Sequence, residues 1–274
     1  VPTRAPVSVW IPMQPSEREL YDRIEEYITE FYPKYEQERT GLGFIMTVYR
    51  RRLTSSFYAV RRSLERRLDS LLGKRQGEGA LAGRDEDDLE QEDLSLDLEE
   101  ELAEEGPPHL NREEIEYVED FLHQLTVLQG RDSKIERLLA DLQQIFRTRD
   151  KVLVFTQYTD TMDFLRDQLK AVYGRQVACY SGRGGERWDG VAWVETTKEE
   201  IKNDFRTGEE LKILLCTEAA SEGLNLQTCG VLINYDMPWN PMRVEQRIGR
   251  IDRIGQRYRE VHIRNYFYEG TVEA

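Results

Sequence analysis

Cysteine is nearly absent. Cys179, Cys216 and Cys229 are the chain's three, too few and too widely spaced for a disulfide framework or a four-ligand zinc site. The three histidines, His109, His123 and His262, are equally scattered, so no metal site is expected. No apolar run approaches the roughly 18 residues a membrane helix needs, and Val1–Trp10 lacks the basic-then-apolar order of a signal peptide. A soluble, cytoplasmic chain with no membrane partner is expected. Also missing is any Gly-x-x-x-x-Gly-Lys-Ser/Thr loop able to cradle phosphates. An overall basic charge is lacking too: 38 Lys+Arg against 52 Asp+Glu leave −14 over 274 residues.

That deficit is local. Between Gln76 and Gly106 lie fourteen acidic residues and one arginine, whereas Arg50–Arg75 holds nine Lys/Arg against Glu65 and Asp69. The net acidity therefore does not argue against a surface that holds nucleic acid. Asp85-Glu86-Asp87-Asp88 superficially suggests a magnesium-holding box, but it follows no apolar strand and belongs to the charge run.

The first half reads as helical. Leu20, Ile24, Tyr27, Ile28 and Phe31 recur at helical spacing over Ser16–Tyr32, with Ser16 as cap, Glu19 completing a capping box and Pro33 as terminator. Phe44–Leu72 reads as one helix with Phe57, Val60, Leu64, Leu68 and Leu71 on one face and arginines on the other. The acidic stretch that follows has the composition of a disordered or loosely ordered insertion. Arg112–Leu128 and Ser133–Phe146 are two further amphipathic helices, the second capped by Asp132.

After Asp150 the pattern changes. Lys151–Phe155, Gln176–Tyr180, Leu211–Cys216, Gly230–Tyr235 and Val261–Phe267 read as strands, with helices at Thr161–Val172, Lys198–Phe205 and Pro241–Ile248, the last capped by Asn240. Strands this apolar, separated by crossovers, indicate an α/β fold with a parallel sheet covered on both faces. In such sheets chemistry gathers on loops beyond the strands' carboxyl ends. Cys179 and Cys216 fall in strands and read as core.

The segment Glu245–Gln256 concentrates arginines: Gln246 and Arg250 sit four apart, and Arg253 follows one turn later. Several guanidiniums aimed at one spot need an anion, and a transferring phosphoryl group is one. A solvated basic helix accommodates the same residues.

Neighbouring segments bear on that choice. Gln246-x-x-Gly249-Arg250-x-x-Arg253-x-Gly255-Gln256 resembles motif six of superfamily-two helicases and translocases. Leu214–Leu226 resembles motif five, and Val152–Asp160 is similar to motif four. Asp236-Met237-Pro238-Trp239-Asn240-Pro241, with the Gly-Leu-Asn-Leu at 223–226, resembles the SWI/SNF-like branch, and the Gly-Arg-Ile-Asp-Arg-Ile-Gly-Gln wording resembles its bacterial, RNA-polymerase-associated type. The resemblance covers Asp132 to about Val272, and Val9–Tyr21 is similar to the family's connector between lobes.

The resemblance implies a RecA-like parallel sheet with helices on both faces, preceded by an α-helical subdomain. Its parts are a connector and first helix at 1–36, a basic helical protrusion at 37–76, the acidic insertion at 77–110, a helix returning to the lobe at 111–130, and a RecA-like C-terminal lobe at 131–274. It implies the second motor lobe of an ATP-dependent double-stranded DNA translocase, nucleoid-associated in a bacterium. Arg250 and Arg253 are then arginine fingers positioned with the help of Gln246. Gly223 and Asn225 approach the nucleotide, while Gln157, Ser181, Gly182, Arg183 and Thr217 meet a nucleic-acid backbone. ATP and Mg2+ are held mainly by an N-terminal lobe upstream.

Both ends of the chain read as trimmed, so a lobe excised from a longer protein and inactive alone as an ATPase is expected. One departure from the family pattern is the segment Arg183–Gly190 after Tyr180-Ser181-Gly182, which reads as a surface or phosphate-contacting loop. Trp188 and Trp193 read as packing residues. Two other functions suit the same residues: a lobe of a strand-separating helicase, or a non-catalytic module binding RNA polymerase or another basic protein through its helices and acidic insertion. The insertion is further expected to cover the basic helix as a nucleic-acid mimic.

Overall fold

The computed structural model describes residues 2–36, 42–73, 108–128, 132–218 and 224–271. The acidic insertion, with the Asp85–Asp88 run, lies outside the described residues except for 108–110. These residues fall into two compact units, one of residues 2–12 and 133–271, the other of 13–73 and 108–132.

The first unit is built on an eight-stranded sheet: β1 (Thr3–Ile11), β2 (Val152–Phe155), β3 (Val177–Ser181), β4 (Gly184–Trp188), β5 (Trp193–Thr196), β6 (Ile213–Cys216), β7 (Val231–Asn234) and β8 (Glu260–Tyr268). Their order is β1-β8-β7-β2-β6-β3-β4-β5. β2, β3, β6 and β7 are buried at every residue, which is what their unbroken apolar sequences require of strands covered on both faces. All pairs from β1 to β3 are parallel. Cys179, Cys216 and Cys229 are buried free thiols, and burial pushes the Cys229 thiol up to about 12.

The expected purely parallel sheet is corrected at one edge. β4 and β5 form an antiparallel hairpin on β3, so the sheet is mixed and the segment after Gly182 is strand rather than loop. Gly184, at φ +110, takes the conformation that lets the Gly182-Arg183 turn close. Trp188 faces Trp193 across the hairpin, ring centroids 5.6 Å apart, with Lys170 4.5 Å from the first ring and Arg166 4.9 Å from the second. β1 is the other addition, a strand paired residue for residue with β8 from Thr3↔Glu260 to Ile11↔Tyr268. Pro6 is tolerated there because β1 is an edge strand.

The second unit contains, among the described residues, α1 (Pro15–Glu36), α2 (Leu42–Ser55), α3 (Phe57–Leu71) and α4 (Pro108–Val127). α1 is capped at Gln14, two residues before the expected Ser16: the Gln14 carbonyl accepts from Arg18 N–H at 2.9 Å, and Glu17 Oε2 accepts from Gln14 N–H at 2.7 Å. Pro33 does not end α1, which runs through it to Glu36. The single helix expected over 44–72 is broken at Ser56, whose extended backbone (φ −160, ψ 152) frees its hydroxyl to accept from Ala59 N–H at 3.0 Å.

The arginines of α2 and α3 are not a continuous solvated face. Arg67 is buried against Glu114 with both nitrogen–oxygen distances at 2.8 Å, and Tyr27 donates to the same carboxylate at 2.6 Å. Arg52 is buried on the Ala59 carbonyl, Arg50 meets Glu25, and Arg61 and Arg62 share Glu65. No described helix is long and apolar enough to cross a membrane.

Candidate nucleotide and nucleic-acid site

The first unit's remaining helices are α5 (Ser133–Ile145), α6 (Thr159–Tyr173), α7 (Lys198–Thr207) and α8 (Pro241–Ile248). α8 begins where expected: Asn240 Oδ1 accepts from Met242 N–H at 3.0 Å and Pro241 occupies the first turn. β7, β2 and β6 are neighbours, so the loops after them converge at the sheet's carboxyl edge.

A buried polar network fills that convergence. The Arg247 side chain, fully buried on α8, donates from Nη1 to Asn234 Oδ1 and to the Asp236 carbonyl, each at 2.9 Å. Its Nε donates to Glu218 Oε1 at 2.7 Å, and its guanidinium lies 5.2 Å from the Phe155 ring. Asp236 accepts from the Thr156 hydroxyl at 2.5 Å and from Gln157 N–H at 2.9 Å. Asn234 donates onward to Asn265 at 2.8 Å. The expected nucleic-acid residue Gln157 sits on this network, its side chain donating to the Met237 carbonyl at 3.1 Å.

Thr217 is wholly buried at the end of β6, and its Oγ1 has no hydrogen-bond partner among the described residues. Asn225 lies in the loop before β7 with Oδ1 buried and, among the described residues, equally unpartnered. Gly223 lies outside the described residues. The Leu226 N–H, next to Asn225, donates to the Arg250 carbonyl at 3.0 Å, and Arg257 N–H donates to the Gln227 carbonyl at 2.9 Å. Gln256 fastens the two loops: its Nε2 donates to the Cys229 and Ile251 carbonyls at 2.9 and 2.7 Å, and its Oε1 accepts from Tyr258 N–H at 3.1 Å.

Gln246 is exposed on α8, and the helix ends before Arg250, so the two do not share one helical face. A series of tight turns carries the chain on, with Gly255 at φ +90. Arg250 is half-buried. Arg253 is exposed; its Nε donates to the Gly249 carbonyl at 2.8 Å and its terminal nitrogens have no partner among the described residues. Arg253, Arg257 and Arg259 line one open pocket of about 320 Å³ with Pro2, Gly255, Gln256 and Tyr258. The carboxylate of Asp150 reaches this group, 3.2 Å from Arg257.

Ser181 and Gly182 enter the hairpin turn, with the buried Ser181 hydroxyl accepting from Arg183 N–H at 3.2 Å. Arg183 is committed elsewhere: its guanidinium pairs with Asp163 and with Glu186, 3.1 Å away, and these carboxylates hold its pKa above the ordinary arginine value despite burial.

Guanidiniums outnumber carboxylates around the open pocket, which suits an anionic ligand. No group of three or more His, Cys, Asp or Glu gathers at metal-binding distance among the described residues.

Residues 133–255 match the helicase conserved C-terminal domain. Over 166 residues, 61% of this chain and 26% of the relative, the chain is 37% identical to the uncharacterized ATP-dependent helicase YqhH of Bacillus subtilis (strain 168). It is 34% identical over 144 residues, 52% of this chain and 14% of the relative, to the RNA polymerase-associated protein RapA of Proteus mirabilis (strain HI4320). The matched stretches thus span about a quarter or less of these relatives' lengths. Among solved structures, the C-terminal part of the Fun30 ATPase domain superposes with a TM-score of 0.58 at 16% identity, covering 100% of this chain and 87% of that one. The Sulfolobus solfataricus SWI2/SNF2 ATPase core in complex with dsDNA gives 0.54 at 17% identity, covering 98% and 42%.

Proposed function

From the match of residues 133–255 to the helicase conserved C-terminal domain, we propose that the chain belongs to the superfamily-two helicases, carries their C-terminal, RecA-like lobe of the SWI2/SNF2 kind, and is the second motor lobe of an ATP-dependent translocase acting on double-stranded DNA. The observation that carries this reading is Arg253, anchored through Nε to the Gly249 carbonyl while its terminal nitrogens remain unpartnered in an arginine-lined pocket. Ile254 beside it is 83% exposed, as suits a surface that another lobe covers.

Arg250 and Arg253 are the residues proposed to hold the nucleotide's phosphates once the N-terminal lobe closes on them, with Gln246 beside them on α8. Asn225 Oδ1 is a free acceptor suited to a sugar hydroxyl. ATP supplies the phosphoryl group, whose charge is spread over oxygens that planar guanidiniums match. Mg2+ falls to the other lobe in this reading, because no donor set for it is gathered here.

Thr217 and Gln157, at the ends of adjacent strands, are proposed to meet the nucleic-acid backbone. Such contacts are sequence-blind, which suits a motor that steps along any duplex. Double-stranded DNA as substrate is supported by the resemblance to the Sulfolobus core, and an RNA-polymerase partner by the resemblance to the Proteus protein. The lobe alone, without a phosphate-cradling loop, is proposed to lack ATPase activity.

The deciding experiment is Arg253→Ala in the full-length protein. Turnover is expected to fall by about 10³–10⁵, with the fold and most DNA binding retained. Near-normal turnover would overturn the reading.

A further inference from the structure

Arg4 lies on β1, far in sequence from the arginine-bearing loop, yet its guanidinium is divided between two carboxylates that bracket that loop. Its Nη1 donates to Glu245 Oε2 at 2.8 Å, and its Nε pairs with Asp252 Oδ2. Glu245 directly precedes Gln246. Asp252 lies between Arg250 and Arg253 in sequence, the one acidic residue within the cationic motif. The Glu245 carboxylate is 57% exposed, that of Asp252 only 5%. Asp252 Oδ1 is buried with no hydrogen-bond partner among the described residues, and Arg4 is the counter-charge its carboxylate meets there.

A nearly buried carboxylate without a counter-charge is costly and recruits the nearest cation. The next residue in the chain is the exposed Arg253, and drawn onto Asp252 it is lost to a ligand. The β1–β8 pairing fixes Arg4 opposite Val261, close to where the loop runs into β8.

Resting on the motor reading above, we propose that Arg4 is a positioning residue: it neutralises Asp252 and so keeps Arg253 available to the phosphates. This gives the edge strand β1 a role in the chemistry without any contact to the nucleotide.

The test is a double-mutant cycle in the full-length protein, with ATP turnover and thermal unfolding measured side by side. Arg4→Ala is expected to lower kcat about tenfold with KM for ATP changed less than about threefold, since the fingers act on the reacting group. Arg4→Ala combined with Asp252→Asn removes the trap with its guard and is expected to return kcat to within about threefold of the parent. A merely structural Arg4 predicts instead that activity tracks the fraction folded at the assay temperature. Normal kcat in Arg4→Ala, or no recovery in the folded double variant, would overturn the proposal. Arg253→Ala separates the two ideas: if it is inactive while Arg4→Ala is normal, the clamp alone fails; if it is active, the motor reading fails.

Discussion

Arg247 Nη1 donates to Asn234 Oδ1 at 2.9 Å, joining α8 to the end of β7 inside a fully buried network. Because the same guanidinium also serves Glu218 and the Asp236 carbonyl, its removal strands a carboxylate, a backbone carbonyl and an amide. Arg247→Ala is expected to destabilise the first unit by about 3–5 kcal/mol, read as a lower denaturant midpoint. Arg247→Lys should recover little, since an ammonium cannot span three acceptors in a plane. An unchanged midpoint in the alanine variant would show that the network is dispensable.

The helical unit has an equivalent point of failure. Glu114 is buried and serves Arg67 twice and Tyr27 once, so Glu114→Ala takes the carboxylate away from a buried guanidinium. A loss of about 3–5 kcal/mol is expected, followed by far-ultraviolet circular dichroism of these helices during denaturation. Loss of less than about 1 kcal/mol would mean that water replaces the carboxylate.

Alkali should unfold the chain from identifiable groups. Burial raises Tyr27 and Tyr266 well above the usual phenol value and lifts Cys229 to about 12. Above pH 9–10 the unfolded chain ionises these groups and the folded chain does not, so the unfolded state binds fewer protons and stability falls as pH rises. Each group contributes a slope of about 1.4 kcal/mol per pH unit until its own folded pKa is reached. Unfolding midpoints measured from pH 8 to 11 should decline, and a flat profile would contradict these burials.

Thr217→Val tests the nucleic-acid face. The substitution removes an unpartnered buried hydroxyl, so stability should hold or rise. Duplex affinity in the full-length protein should fall a few-fold, equally on unrelated sequences, with the salt slope unchanged because no charge is lost. A loss that depends on sequence would point to base contact instead.

The parallel core was legible because β2, β3, β6 and β7 are short apolar runs and such runs have few alternatives. The hairpin was not: Gly-Gly-Glu-Arg-Trp is poor in β-branched residues, and its stability comes from the Trp188–Trp193 pair and from ion pairs such as Arg166–Glu186 that pattern alone does not show. β1 is hidden by Pro2 just before it, by Pro6 within it, and by depending on a partner strand some 250 residues away. Pro33 and Ser56 depart from the sequence pattern for opposite reasons, a helix continuing through a proline and a hydroxyl stopping one where no proline stands. Within the motif, Gln246, Arg250 and Arg253 drew attention by spacing. Arg247, the residue that holds the motif to the sheet, was hidden among them, since burial of an arginine next to exposed ones leaves no periodic mark. The Glu218 and Asp236 carboxylates on neighbouring strand ends were the available hint that a cation must lie between them.

The side-by-side alignment of β1 with β8 has a mechanical corollary. Tension applied along β1 loads nine matched positions in shear, all at once, instead of peeling them apart in succession. A tug on this end of the polypeptide is therefore passed to the last strand as a displacement of the whole, with Arg4 riding on it.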